Sequence, residues 1–237
     1  CEFLLDQTYG REEKDYRPWV PSDCQWLLGS RYALLRPEFS DLRQKAIERR
    51  KNFNGIKRVL VSMGGMDPAN VTATVLEGLA NVNWKKKPVI DVVLGDQAPH
   101  LQQITALPEN SDLETTVSTD VTDMADRMLA ADLAIGAGGS TSWERCCLGL
   151  PALTVISAEN QQMVSHALND IGAIRLLGVG GQISVEDIKR NIEQLMQNPL
   201  QLQNMSQAGF GVTDGLGVKR TVLEMMPPYS KDRKPIR

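Results

Sequence analysis

The stretch GAGGSTSWERCCLGLPALTV, from Gly136 to Val155, decides the fold. It continues an apolar run, DLAIGA, into glycines and hydroxyl residues ending at Ser140. STSWERCCLG then reads as a short helix that stops at Gly149, and PALTVI is a second apolar run. Strand, glycine-rich loop, helix and strand follow one another with short joints, the pattern of a βαβ unit with parallel strands.

The same alternation extends in both directions. Upstream, KRVLVSMGG is a β-branched apolar run ending at Gly64-Gly65. DPANVTATVLEGLANV reads as a helix, with Asp67 as cap, Pro68 at the first helical position, and Val71, Val75, Leu76 and Leu79 at helical spacing. PVIDVVLG and LETTVST are further strands around the helix LQQITAL, and DVTDMADRMLAA is a capped helix. Downstream come the helix NQQMVSHALNDIG, a sixth strand AIRLLG, and helical segments from SVEDIKRNIEQLMQ onward. The strands are nearly continuous apolar runs, which marks a parallel sheet buried on both faces. The expected fold class is α/β, a Rossmann-like doubly wound parallel sheet over residues 56–226. Residues 1–55 hold two apolar runs, EFLL and WLLGSRYALL, and end in the charged, helix-permissive RQKAIERRKNFNG. That composition suggests the edge of another domain and a linker. The tail, residues 227–237, is polar and expected to be loose.

Bulk composition excludes several classes. The 237 residues carry a net charge of −3, with 42% hydrophobic and 23% charged residues, as in ordinary globular proteins. There is no basic excess for a nucleic-acid backbone, so no nucleic-acid partner is expected. The clusters Arg49-Arg50-Lys51, Lys85-Lys86-Lys87 and Lys231 to Arg237 read as solvated faces or linkers. No apolar run has the ~20 residues of a membrane span, no signal peptide is visible, and a cytoplasmic location without membrane contact is expected. The four cysteines lack CxxC spacing and only two histidines occur, so no metal site is expected. Cys146 and Cys147 read as buried thiols. The chain opens on Cys1 inside a strand-like segment, so an N-terminal portion is expected to precede it.

In doubly wound sheets, ligands bind at the carboxyl ends of the strands. Two glycine loops lie there: Gly64 and Gly65 after the first strand, and Gly138, Gly139, Ser140 and Thr141 after the fourth. Glycine admits close backbone approach, and a following helix start offers free N–H groups to a diphosphate. Tight strand–helix turns would account for the same glycines. Neither loop matches GxxxxGK[ST] or GxGxxG, which argues against NTP hydrolysis and a dinucleotide cofactor. Glu144, one turn into its helix, suits a ribose diol or a helix dipole. Asn160 and Gln161 suit sugar hydroxyls and acetamido groups, or a helix cap. Asn70, one turn into the helix after Gly64-Gly65, could face the same cleft. Neither His100 nor His166 has a partner spaced for a triad. Asp214 and Gly215 in TDGLGVKR suit a third cleft loop or, the preferred reading, a helix start.

SMGGMDPAN, AIGAGGSTSWERCCLGLPALTV and AENQ, in that order, resemble the UDP-sugar hydrolases of pseudaminic acid biosynthesis. CEFLLDQTYGR, GSRYALLRPEF and DGLGVKR are similar to the same family. The resemblance implies a GT-B fold, of which this chain would be the C-terminal half plus the end of the N-terminal domain. It implies metal-independent, cofactor-free hydrolysis of UDP-2,4-diacetamido-2,4,6-trideoxy-β-L-altrose, by a monomer, to UDP and free sugar. Glu144 would hold the ribose, Gly139, Ser140 and Thr141 the diphosphate, and Asn70 and Asn160 the substrate. The family's Gly-x-Gly-His base is absent, so no catalytic residue is expected in this chain and little turnover by it alone. A GT-B glycosyltransferase and a non-catalytic nucleotide-sugar module are the competing readings.

Overall fold

A computed structural model describes residues 1–107 and 112–226; the tail lies outside the described residues. The strands are β1 (Phe3–Asp6), β2 (Gln25–Leu28), β3 (Arg58–Ser62), β4 (Val89–Leu94), β5 (Thr115–Thr119), β6 (Leu133–Ala137), β7 (Ala152–Ile156) and β8 (Arg175–Val179). The helices are α1 (Pro37–Arg50), α2 (Val71–Ala80), α3 (Leu101–Ala106), α4 (Met124–Ala130), α5 (Thr141–Cys147), α6 (Gln162–Asp170), α7 (Val185–Gln197), α8 (Pro199–Phe210) and α9 (Gly217–Met225). β3 to β8 form one six-stranded sheet in the order β5-β4-β3-β6-β7-β8, and every pair is parallel. The doubly wound α/β sheet expected from the sequence is the fold observed. β1 and β2 pair separately, also in parallel.

Alternation along β3 explains the layers. Val59 and Val61 point into one core with Val75 and Leu79 of α2 and Ile188 and Ile192 of α7. Leu60 points to the other face, with Phe39 of α1, Met128 of α4, Trp143 of α5 and Leu168 of α6. Every residue of β6 and β7 is buried, because both strands are central and helices cover both faces. Among the described residues no helix is long and apolar enough to cross a membrane.

Three sequence expectations need correction. α2 begins at Val71, so Pro68 lies outside it. Asp67 and Asn70 both have left-handed backbone (φ 41° and 52°), which breaks the helical path. Asp67 still caps it: its carboxylate accepts from the N–H groups of Val71 (2.9 Å) and Thr72 (2.8 Å). α4 has no side-chain cap, because the Asp123 carboxylate accepts instead from Arg127 Nε at 2.8 Å. Finally, Arg49-Arg50-Lys51 is not a solvated cluster throughout. Arg50 is 3% exposed. It donates from Nε to the Leu148 carbonyl (2.7 Å), from Nη1 to Ala131 (3.1 Å) and from Nη2 to Met128 (2.9 Å). Arg43 likewise donates to the carbonyls of Cys147, Phe210 and Thr213. α1 is thereby fastened to the C-terminal ends of α4, α5 and α8, where backbone carbonyls lack helical partners. Lys85, Lys86 and Lys87 are exposed, as expected.

Candidate functional site at the sheet's switch point

Strand order reverses direction between β3 and β6. Ser62, the last residue of β3, is the register partner of Gly136 in β6. Both glycine loops leave from this point, and they lean apart. The Gly65 carbonyl accepts from Gly95 N–H at 3.0 Å, on the β4 side. Gly138 N–H donates to the Val155 carbonyl at 2.9 Å, on the β7 side. A crevice between diverging loops at such a point is where open α/β sheets take ligands. The cavity of about 340 Å³ lined by Phe53, Trp84, Leu195 and Leu202 is at the other end of the sheet, beside Ile56 and Lys57 that enter β3.

Gly64 (φ 86°) and Gly139 (φ 103°) have left-handed backbone that excludes most side chains. The N–H groups of Gly139, Ser140 and Thr141 donate to no acceptor among the described residues. Three adjacent free donors make this loop a candidate anion cradle. α5 is only seven residues long, so its dipole adds little. Gln161 braces the loop: its Oε1 accepts from Ser157 N–H at 2.9 Å, and its amide packs against Gly138 and Gly139.

Glu144 lies in the first turn of α5, with its side chain 17% exposed. Arg36 Nη2 stands 4.0 Å from its Oε1, while Arg36 Nε pairs with Glu38 at 3.1 Å. Burial raises the Glu144 pKa above its ordinary 4.5, opposed by Arg36 and Arg145 and reinforced by Glu38. A pH dependence follows. If the carboxylate accepts two ligand hydroxyls, protonation removes its charge and turns one oxygen into a donor, which weakens that contact. Affinity for a UDP-sugar should then fall as pH drops through a range above the usual carboxylate one. Glu144→Gln should flatten the profile in calorimetric titrations; an unchanged slope would place the titrating group elsewhere.

The other residues fall into two groups. Asn70 is not one turn into α2 but immediately before it, a correction that follows from its left-handed backbone. Its Nδ2 donates to Gln103 Oε1 at 3.0 Å, while Oδ1 is buried without a partner. Asn160 is exposed in the 3-10 turn Glu159–Gln161 and caps no helix. His100 precedes α3, with Nε2 3.3 Å from the Pro68 carbonyl, and His166 is exposed on α6. Cys146 and Cys147 are buried, and burial pushes their thiols up to about 12 and about 11, leaving them unreactive. Asp214 pairs with Arg220 and accepts from Leu216 N–H (3.0 Å), fixing the start of α9. Sequence reasoning passed over Arg145. It is 3% exposed and lies under the second loop. Its Nη2 donates to the Ala137 carbonyl (2.8 Å) and Ser142 Oγ (3.1 Å). The available signal was a charged residue between Trp143 and Cys146, in a helix too short to turn a face to water.

The parallel sheet with helices on both faces matches the Rossmann-like C-terminal domains of GT-B glycosyltransferases. Residues 59–218 match the glycosyltransferase family 28 C-terminal domain, and the chain belongs to that family. It is 28% identical over 221 residues to the spore coat polysaccharide biosynthesis protein SpsG of Bacillus subtilis (strain 168), covering 91% of this chain and 62% of that protein. Acinetobacter baumannii MurG has the same fold, with TM-score 0.63 and 20% identity, over 75% of this chain and 51% of that one. So does the UDP-GlcNAc 2-epimerase from Neisseria meningitidis bound to UDP-GlcNAc, with TM-score 0.63 and 14% identity, over 95% and 60%. The chain thus spans somewhat more than half the length of these proteins.

Proposed function

We propose that this chain supplies the nucleotide-sugar-binding half of a GT-B sugar-biosynthesis enzyme. In this reading the whole protein is a UDP-sugar hydrolase. Residues 56–226 form the nucleotide unit, and the preceding residues are the end of the partner domain and the connection to it. The observation that carries the reading is the run of free N–H groups at Gly139, Ser140 and Thr141, with the Glu144 carboxylate one turn beyond. That spacing suits a diphosphate on the cradle and a ribose diol on Glu144. Gly64 and Gly65 border the same crevice, and Asn70, Asn160 and Gln161 supply amides for the sugar. Similarity to a polysaccharide biosynthesis protein and the fold shared with a UDP-GlcNAc-bound epimerase support a nucleotide-sugar ligand.

The proposed substrate is UDP-2,4-diacetamido-2,4,6-trideoxy-β-L-altrose, cleaved by water without a metal to UDP and free sugar in nonulosonic (pseudaminic) acid biosynthesis. Loop N–H groups would stabilise the leaving UDP. The second reading, sugar transfer to an acceptor, is favoured by the glycosyltransferase family match. Release of UDP from this substrate, followed by chromatography with the protein that carries this chain, separates them. Release into water without acceptor supports hydrolysis, and release only with an acceptor supports transfer. Absence of both release and UDP binding would defeat both readings. The present chain alone is expected to bind UDP and turn over little.

A further inference from the structure

Two arginines, Arg50 and Arg127, have strong partners for their guanidinium groups. Arg50 uses Nε, Nη1 and Nη2 on three carbonyls, and Arg127 pairs with Asp91 and Asp123. Arg145 is different. Its Nε is buried without a partner, and its two hydrogen-bond acceptors are neutral. Among the described residues no carboxylate lies within ion-pairing distance of it. Glu144 attracts it only from beyond that distance; a buried cation with no contacting counter-ion is costly, and an apolar side chain of similar volume would normally be no less stable.

Its position gives the cost a purpose. A Cβ at Gly136 would stand 2.6 Å from Arg145 Nη1 and 2.5 Å from the Ser62 carbonyl. The guanidinium therefore occupies the space left by the missing side chain, between the ends of β3 and β6. It lies directly beneath the crevice from which both glycine loops diverge, and it is bonded to Ala137 and Ser142, which flank the cradle.

We propose that Arg145 is a buried counter-charge for the diphosphate of a bound nucleotide, acting from beneath the loop without touching the ligand. The proposal rests on the nucleotide reading above. It makes Arg145 a positioning residue that also sets preference for ligand charge: diphosphate over monophosphate over nucleoside. The neutral helix start of α5 cannot supply this alone, and a surface arginine would lose its effect to salt screening.

The test is competitive binding of UDP, UMP and uridine to the full chain, in the unaltered protein and in Arg145→Met and Arg145→Lys. Arg145→Met should weaken UDP by about 10-fold, UMP by less, and uridine by under about 2-fold. Arg145→Lys should recover most of the UDP affinity. An equal loss for all three ligands would mean that Arg145 only shapes the loop, and no loss for UDP would also overturn the proposal. Should Arg145→Met fail to fold, the unaltered protein still decides. A buried charge keeps the UDP-to-uridine affinity ratio within about 3-fold between about 50 and 500 mM salt, and collapse of that ratio would point to exposed cations instead. Absence of UDP binding by the unaltered chain would remove the nucleotide reading as well, whereas UDP binding indifferent to Arg145 would remove this proposal alone.

Discussion

Glu144→Ala should lower the affinity for UDP by about 10- to 100-fold in calorimetric titration. The side chain sits in the first turn of α5, beyond three unpaired N–H groups, and is 17% exposed. A carboxylate accepting from two vicinal hydroxyls makes charge-assisted hydrogen bonds, and losing them costs about 1.5–3 kcal/mol. Each 1.4 kcal/mol is about a tenfold change in affinity, which sets the range. Arg36 contributes a second effect. In the free protein it is partly neutralised by Glu38 and faces Glu144 at 4.0 Å. Removing Glu144 leaves Arg36 near the ligand, so some attraction to phosphate persists and the loss stays below complete abolition. A variant that binds UDP as tightly as the unaltered chain would show that Glu144 only complements its helix. The nucleotide would then have to sit elsewhere on the sheet edge.

Arg50→Ala should destabilise the fold by about 3–5 kcal/mol, the larger of the two effects in energy. One guanidinium satisfies the carbonyls of Met128, Ala131 and Leu148, at the ends of α4 and α5. Truncation leaves three acceptors and a cavity in a buried place, and each unsatisfied buried group costs about 1–3 kcal/mol. For a domain of this size the melting temperature should drop by about 10 °C or more. Arg50→Lys should fall between, because an ammonium on one stem cannot span three carbonyls in a fixed fork. Denaturant and thermal unfolding both check this. A loss under about 1 kcal/mol would mean that water reaches the carbonyls once the side chain is gone.

Arg43, Arg50 and Arg145 also show where sequence reading reached its limit. Strand and helix alternation was legible because β3, β6 and β7 are buried on both faces, which forces continuous apolar runs. The two glycine loops were legible because they interrupt those runs. Arg50 and Arg43 were not, since their partners are backbone carbonyls, which leave no mark in the side-chain sequence. The start of α2 was misplaced for a related reason: only the left-handed backbone of Asp67 and Asn70 shows that the helix cannot begin at Pro68. Of the site, Gly138 to Thr141 and Glu144 come together at the switch point. Gly136 serves close packing against Arg145, and Gly95 against the Gly65 carbonyl, whereas a side chain at Gly65 itself would meet open space. Arg145 was hidden because a neighbouring acid and base in sequence look like a surface pair, although on a helix they do not face each other.

The register of Ser62 against Gly136 has a consequence for the time order of folding. The chain completes α2, β4, α3, β5 and α4 before β6 can return to lie beside β3. Pairing so distant in sequence forms late, because loop closure must precede the contacts that reward it. On the proposed function, a nucleotide that bridges the two loops would have no site until that return is made; its presence would slow the departure of β6 more than it hastens its arrival, and the bound chain would gain lifetime rather than speed.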